Sequence, residues 1–194
     1  SILGYGLLLS EFYAQTFKVD FRGKLYGGTN LKFFRKGVEG LYQGAGFNAD
    51  LGLLYIPDNR WSWGLNFKNF IAPYSTLGAI NWDTGASDYL ITYTTVGFAY
   101  RFDRQWLLAT DYDFSFNTGR KALWHIGTEY QFQENLVLRT GYEQVGDDVG
   151  ADTAGHITMG LSLQITNWTF DYAYHPYDLL SSGATHYISI NYQF

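Results

Sequence analysis

Six ionisable residues in the second half of the chain recur at a spacing that could do chemistry: Asp111 and Asp113, His125 and Glu129, Arg139 and Glu143. Members of each pair lie two or four residues apart. On an extended backbone that spacing puts both on one face of their strand. Carboxylates beside an imidazole and a guanidinium offer two kinds of chemistry. One is proton transfer, with His125 or a carboxylate as the acid or base. The other is a polar lining, in which opposite charges and hydrogen bonds satisfy one another where water is scarce. No Ser or Thr stands at a recognisable nucleophile spacing from His125, which favours the lining.

Other constellations are weaker. Asp147, Asp148 and Asp152 in "GDDVGAD" offer hard oxygen ligands for calcium, but without the spacing of an EF-hand loop they read as a solvated acidic loop. His175 and His186 flank one connection, and no third residue completes a metal site there. Trp61, Trp63, Trp106, Trp124 and Trp168 invite sugar stacking, although their parity argues for a shared apolar face. Lys32 and Lys68 share the parity of Asn30 and Asn66, so the polar face carries both signs of charge.

These side chains need strands to position them, and the chain supplies little else. Hydrophobic periodicity is two almost throughout, predicting strands at 2–13, 23–35, 41–56, 61–71, 89–102, 105–117, 121–132, 135–146, 155–165, 168–175 and 185–194. Most run to 10–14 residues, well beyond the about 5 or 6 usual in soluble proteins and near the roughly 9 to 11 that cross a bilayer at a tilt. Aromatics make up 20% of the chain and charged residues only 16%, against about a quarter charged in soluble domains. Mean hydropathy is only -0.17, and no apolar run approaches the length of a membrane helix. Any membrane crossing must therefore use strands.

The connections alternate between short ("PDNR", "DR", "QE", "TN") and long ("APYSTLGAINWDTGASD", "GDDVGADTA", "PYDLLSSGA"). Outer-membrane barrels have short periplasmic turns and longer external loops in this way. Aromatic residues collect at the short-turn end: Tyr55, Trp61, Phe102, Trp106, Phe132, Trp168 and Phe194. Such a ring of residues is expected of an interfacial girdle. Strand parity separates Trp106, Leu108 and Tyr112 from Asp111 and Asp113, Trp124 and Ile126 from His125 and Glu129, and Leu138 and Tyr142 from Arg139 and Glu143. The six charged residues thus line a lumen, and the apolar residues face lipid. A net charge of -5 without a basic block excludes nucleic acid as partner, and the lack of cysteine fits an oxidising compartment.

Two stretches carry a family resemblance. "ADLGLLYIPDNRWSWGLNFKNF", Ala49 to Phe70, has an Asp-Leu-Gly strand, a tight Pro turn and a Gly-Leu-x-x-x-Asn strand. "FDYAYHPYDLLSSGATHYISINYQF" ends with an Asp-Tyr-Ala-Tyr strand, a loop and an alternating strand from Thr-His to Phe. Both resemble the FadL-like outer-membrane family, particularly its PorV branch, and "GGTNLKF" and "LRTGYE" fit less distinctively. The family's barrel has about fourteen strands with a hatch segment in the lumen. The resemblance therefore implies that residues 1–194 form one outer-membrane barrel domain lacking the hatch and about three strands. The odd count of eleven strands means either that the first 35 residues divide differently or that the chain is the C-terminal part of something longer, and the resemblance favours the second.

The fold expected is thus an all-β, antiparallel, up-and-down transmembrane barrel of the outer-membrane type. Its C-terminus would be periplasmic, and Tyr192 and Phe194 would form a terminal signal for the barrel assembly machinery. The family resemblance implies passage of hydrophobic or amphipathic small molecules, with no cofactor and no catalysis. A barrel docking other envelope or secretion proteins is the alternative, and a lipid-modifying enzyme around His125 a weaker one. Outer-membrane lipid and lipopolysaccharide are the expected surroundings.

Overall fold

Long runs of alternating residues, broken by Gly, Asp and Asn, form strands that return on themselves. The computed structural model describes residues 2–10, 22–38, 42–71, 76–116, 120–146, 153–176 and 184–193. Contacts group the chain into two units, one of residues 1–58, 62–96 and 113–120, the other of residues 59–61, 97–112 and 121–194. No helix among the described residues is long and apolar enough to cross a membrane.

In the first unit, β1 (Ile2–Leu8), β2 (Lys24–Val38), β3 (Tyr42–Ile56) and β4 (Trp61–Lys68) pair antiparallel in that order. The expected first strand stops at Leu8, because Leu9 and Ser10 turn helical; residues 11–13 lie outside the described ones. The long connection after β4 is more than a loop. It carries a 3-10 turn (Thr76–Gly78) and two short strands, β5 (Ala79–Trp82) and β6 (Ser87–Tyr89). They pair with each other, and β5 also pairs with β3. Tyr89 therefore belongs to β6, and the next long strand, β7 (Tyr93–Arg101), begins later than expected.

β3 uses one edge for two partners. Leu51 to Tyr55 face Phe67 to Trp63 of β4, whereas Gly44 to Gly46 face Trp82 to Ile80 of β5. Glycine is needed at that second contact: a Cβ at Gly44 would lie 2.8 Å from the Trp82 ring, and one at Gly46 would lie 2.5 Å from the Ala79 carbonyl. The small core of this unit, Ala49, Ala79 and Ile80, sits where β5 meets β3.

In the second unit β8 (Trp106–Phe114), β9 (Leu123–Gln133), β10 (Leu136–Gly146), β11 (Thr153–Ile165), β12 (Trp168–His175) and β13 (Thr185–Tyr192) follow in sequence order. Two-residue turns join β9 to β10 and β11 to β12. Asp103 closes the turn before β8 by accepting hydrogen bonds from the Gln105 and Trp106 amides at 2.7 and 2.8 Å. One face of β9 to β13 leaves Ile126, Leu138, Ile157, Met159, Ile188 and Ile190 exposed. The eleven long strands expected from the alternation are all present, with β5 and β6 added.

Candidate functional site

The polar face of the second unit carries one connected network. Arg139 on β10 donates through Nε to Glu129 Oε2 on β9 at 2.8 Å and through Nη1 to Ser162 on β11. Ser162 in turn donates to Asp171 on β12. Asp171 also accepts from Ser189 Oγ at 3.2 Å and Asn191 Nδ2 at 3.1 Å, both near the end of β13. The antiparallel register explains the chain: Glu129 is directly opposite Arg139, Ser162 opposite Asp171, and Asp171 opposite Ser189. Each acceptor thus finds a donor one strand away, the condition for placing charges in a sheet interior.

The six residues singled out in the sequence do not form one cluster. Glu129 and Arg139 pair as described. Glu143 turns instead to His175 on β12. Its register partners are His125 on β9 and His156 on β11, and the His125 ring lies 3.2 Å from the Gln144 carbonyl. Asp111, exposed, and Asp113, half-buried, join neither group among the described residues. Sequence reasoning missed Ser162, Asp171, Ser189, Asn191 and the role of His175. Their parity carried the signal, but short neutral side chains on β11 and β13 do not stand out.

His175 and His186 lie on opposite faces: His186 shares parity with Ile188 and bonds the Tyr172 hydroxyl at 2.8 Å. No group of three His, Cys, Asp or Glu among the described residues is arranged to hold a metal ion. Asp147, Asp148 and Asp152 lie outside the described residues.

Between the Glu129–Arg139 pair and the Glu143–His175 pair the polar face sinks into a concavity of about 530 Å³, bordered by Leu107 and Tyr187. Its floor has little side chain, because Gly127 faces Gly141 and Gly160 faces Ala173 across the strands. The opposite face has its own shallower hollow over Gly127 and Gly141, rimmed by Leu108, Ile126, Tyr142 and Ile157.

The first unit holds a second polar centre that the sequence did not announce. Asn48 is fully buried; its Nδ2 donates to the Gly78 carbonyl at 2.8 Å, and its Oδ1 accepts from the Ile71 amide at 3.2 Å. Lys32 Nζ lies 2.5 Å from Asp50 Oδ1 and donates to Asn69 Oδ1 at 2.9 Å, while Asp50 Oδ1 accepts from the Asn69 amide. Asn69 has a positive φ of 55°, a conformation Asn tolerates better than most residues, and with it β4 ends and the inserted segment turns onto β3.

The aromatic residues at the short turns touch in series. Trp61 packs on Phe98 and Tyr100 at 5.3 and 4.2 Å, Tyr100 on Phe102 at 4.8 Å, Trp106 on Tyr130 at 4.7 Å, and Trp168 on Tyr192 at 4.8 Å. Phe132 follows Tyr130 at 6.4 Å. Tyr55, in the first unit, donates its hydroxyl to the Arg22 carbonyl at 3.0 Å. Phe194 lies outside the described residues. Tyr100 and Tyr130, not singled out from the sequence, link the others.

Residues 39–113 match the family model described as "F plasmid transfer operon, TraF, protein". No curated protein matches the chain. Among solved structures, the toluene transporter TbuX of Ralstonia pickettii is similar at 16% identity, with 78% of this chain and 56% of that chain covered and a TM-score of 0.46. The toluene transporter TodX of P. putida is 17% identical over 89% of this chain and 50% of its own, with a TM-score of 0.48. The TodX deltaS2S3 mutant, a monoaromatic hydrocarbon channel, is 16% identical over 89% of this chain and 56% of its own, with a TM-score of 0.50. The chain has the fold of an outer-membrane β-barrel. It spans 50 to 56% of the length of these solved barrels. The antiparallel outer-membrane barrel expected from the sequence agrees with this fold, and nothing in it points to the PorV branch.

Proposed function

We propose that this barrel passes hydrophobic or amphipathic small molecules across the outer membrane, without catalysis. The carrying observation is the two-sidedness of β9 to β13. A face of exposed Ile, Leu and aromatic side chains backs a face on which charged and polar side chains surround a hollow of about 530 Å³, a size suited to a small molecule. Exposed apolar area on that scale is foreign to soluble monomers. The hydrocarbon transporters of similar fold support the same reading. Production of the chain in cells with an intact lipopolysaccharide layer is expected to raise toluene uptake severalfold over cells without it. Equal uptake would sink the proposal, and recovery of the chain bound to other envelope proteins would favour the docking role instead.

In this reading the short turns, their aromatic ring and the C-terminus lie on the periplasmic side, with Tyr192 and Phe194 as the assembly signal. The chain has no cysteine, so single thiols report cleanly. A cysteine at Asn167 is expected to escape an impermeant maleimide in intact cells and to react after the outer membrane is opened. Cysteines at Asp148 or Asp178 are expected to react at once. The reverse pattern would invert the topology.

A further inference from the structure

The concavity on the polar face of β9 to β13 has two ends of different character. Toward the short turns, Arg139 and Glu129 are committed to each other, and Arg139 is held further by Ser162. At the other end Glu143 lies beside three imidazoles. His125 and His156 stand in register on either side, and His175 touches its carboxylate. These are three of the four histidines in the chain. Glu143 is the carboxylate lining this concavity that pairs with no Arg or Lys among the described residues. The two ends lie four residues apart on β10, about 13 Å along the strand, and the floor between them is Gly127, Gly141, Gly160 and Ala173.

We propose that this concavity binds amphipathic molecules carrying a basic nitrogen, with the ammonium group at Glu143 and the apolar body along the glycine floor. A ligand ammonium forms a charge-assisted hydrogen bond with the carboxylate. The bare backbone of the floor lets a flat hydrocarbon body lie close against the sheet. This deepens the passage reading and rests on it for the face being a lumen.

The test uses three probes of one shape, 4-phenylbutylamine, 4-phenylbutanol and 4-phenylbutyrate, bound to the full chain in phosphatidylcholine nanodiscs, with empty nanodiscs correcting for partition into lipid. The amine is expected to bind about tenfold more tightly than the alcohol, with the carboxylate weakest. Glu143→Gln is expected to erase the difference between amine and alcohol while leaving alcohol binding intact. Gly127→Leu is expected to weaken all three, since a Cβ there meets nothing nearer than the Thr140 carbonyl at 3.8 Å and the side chain fills the floor without displacing backbone. Equal affinities, a preference for the carboxylate, an amine preference surviving Glu143→Gln, or undiminished binding to Gly127→Leu would each overturn the assignment. The order of the three probes on the unaltered chain decides even if a variant fails to fold. Toluene uptake is measured separately, so loss of the amine preference with uptake intact refutes this site and leaves the passage reading standing.

Discussion

Asn48→Leu is expected to release the inserted segment between β4 and β7 from β3 at a cost of about 3 kcal/mol. Leucine is close to Asn in bulk but can neither donate to the Gly78 and Ile71 carbonyls nor accept from the Ala49 and Ile71 amides. The site is fully buried, so the orphaned backbone groups have no water to turn to, and each carries a desolvation penalty of about 1 to 3 kcal/mol. The damage should stay local, because the pairing of Leu51 to Tyr55 with β4 does not pass through Asn48. Hydrogen exchange is the measurement: amides of Ala79 to Trp82 should lose protection while those of Leu53 and Leu65 keep theirs. Unchanged protection in β5 would show that Asn48 is not the fastening.

Met159→Arg is expected to cost about 2 to 4 kcal/mol when the chain folds into lipid vesicles, and Ile165→Arg about 0 to 1 kcal/mol. Both residues are exposed on the apolar face of β11, at 58 and 52%. They differ in depth. Six residues at about 3.3 Å each, tilted by about 40°, put Met159 some 15 Å from the short-turn rim, near the middle of the hydrocarbon. Ile165 sits at the turn itself, where a guanidinium reaches headgroups and water. Urea titrations of the two variants in vesicles give the comparison directly. Near-equal, small costs would mean that this face does not lie in lipid, and the passage reading would fall with it.

What could be read from the sequence was the face of each side chain. The alternation of Leu136 to Glu143 assigns Arg139 and Glu143 to one side and Leu138 and Tyr142 to the other, because strand parity is local. What could not be read was the register between strands. That Glu143 reaches His175 and not Arg139 depends on how β10, β11 and β12 slide past one another, and those offsets are set by turns and packing across the sheet. The β5–β6 hairpin escaped for another reason. Four and three residues are too few to show a period, so "INWDTGASDY" reads as a loop despite Gly85, whose φ of 84° marks the turn between them. Asn48 was hidden by its neighbours, since a polar residue alternating with Phe47 and Ala49 looks like any other lumen position until β5 covers it.

The shared edge of β3 also bears on how such a chain can change over generations. In most of a barrel wall each strand is clamped between two neighbours, so altering one forces adjustment in the next. At Asn48 to Asp50 the clamp is divided: β4 holds one stretch of β3 and β5 the other, and side chains close the seam between them. The tip of the inserted hairpin can therefore be lengthened, shortened or exchanged without moving the register below it. One joint thus separates the part of the wall that must stay constant from a part free to diversify.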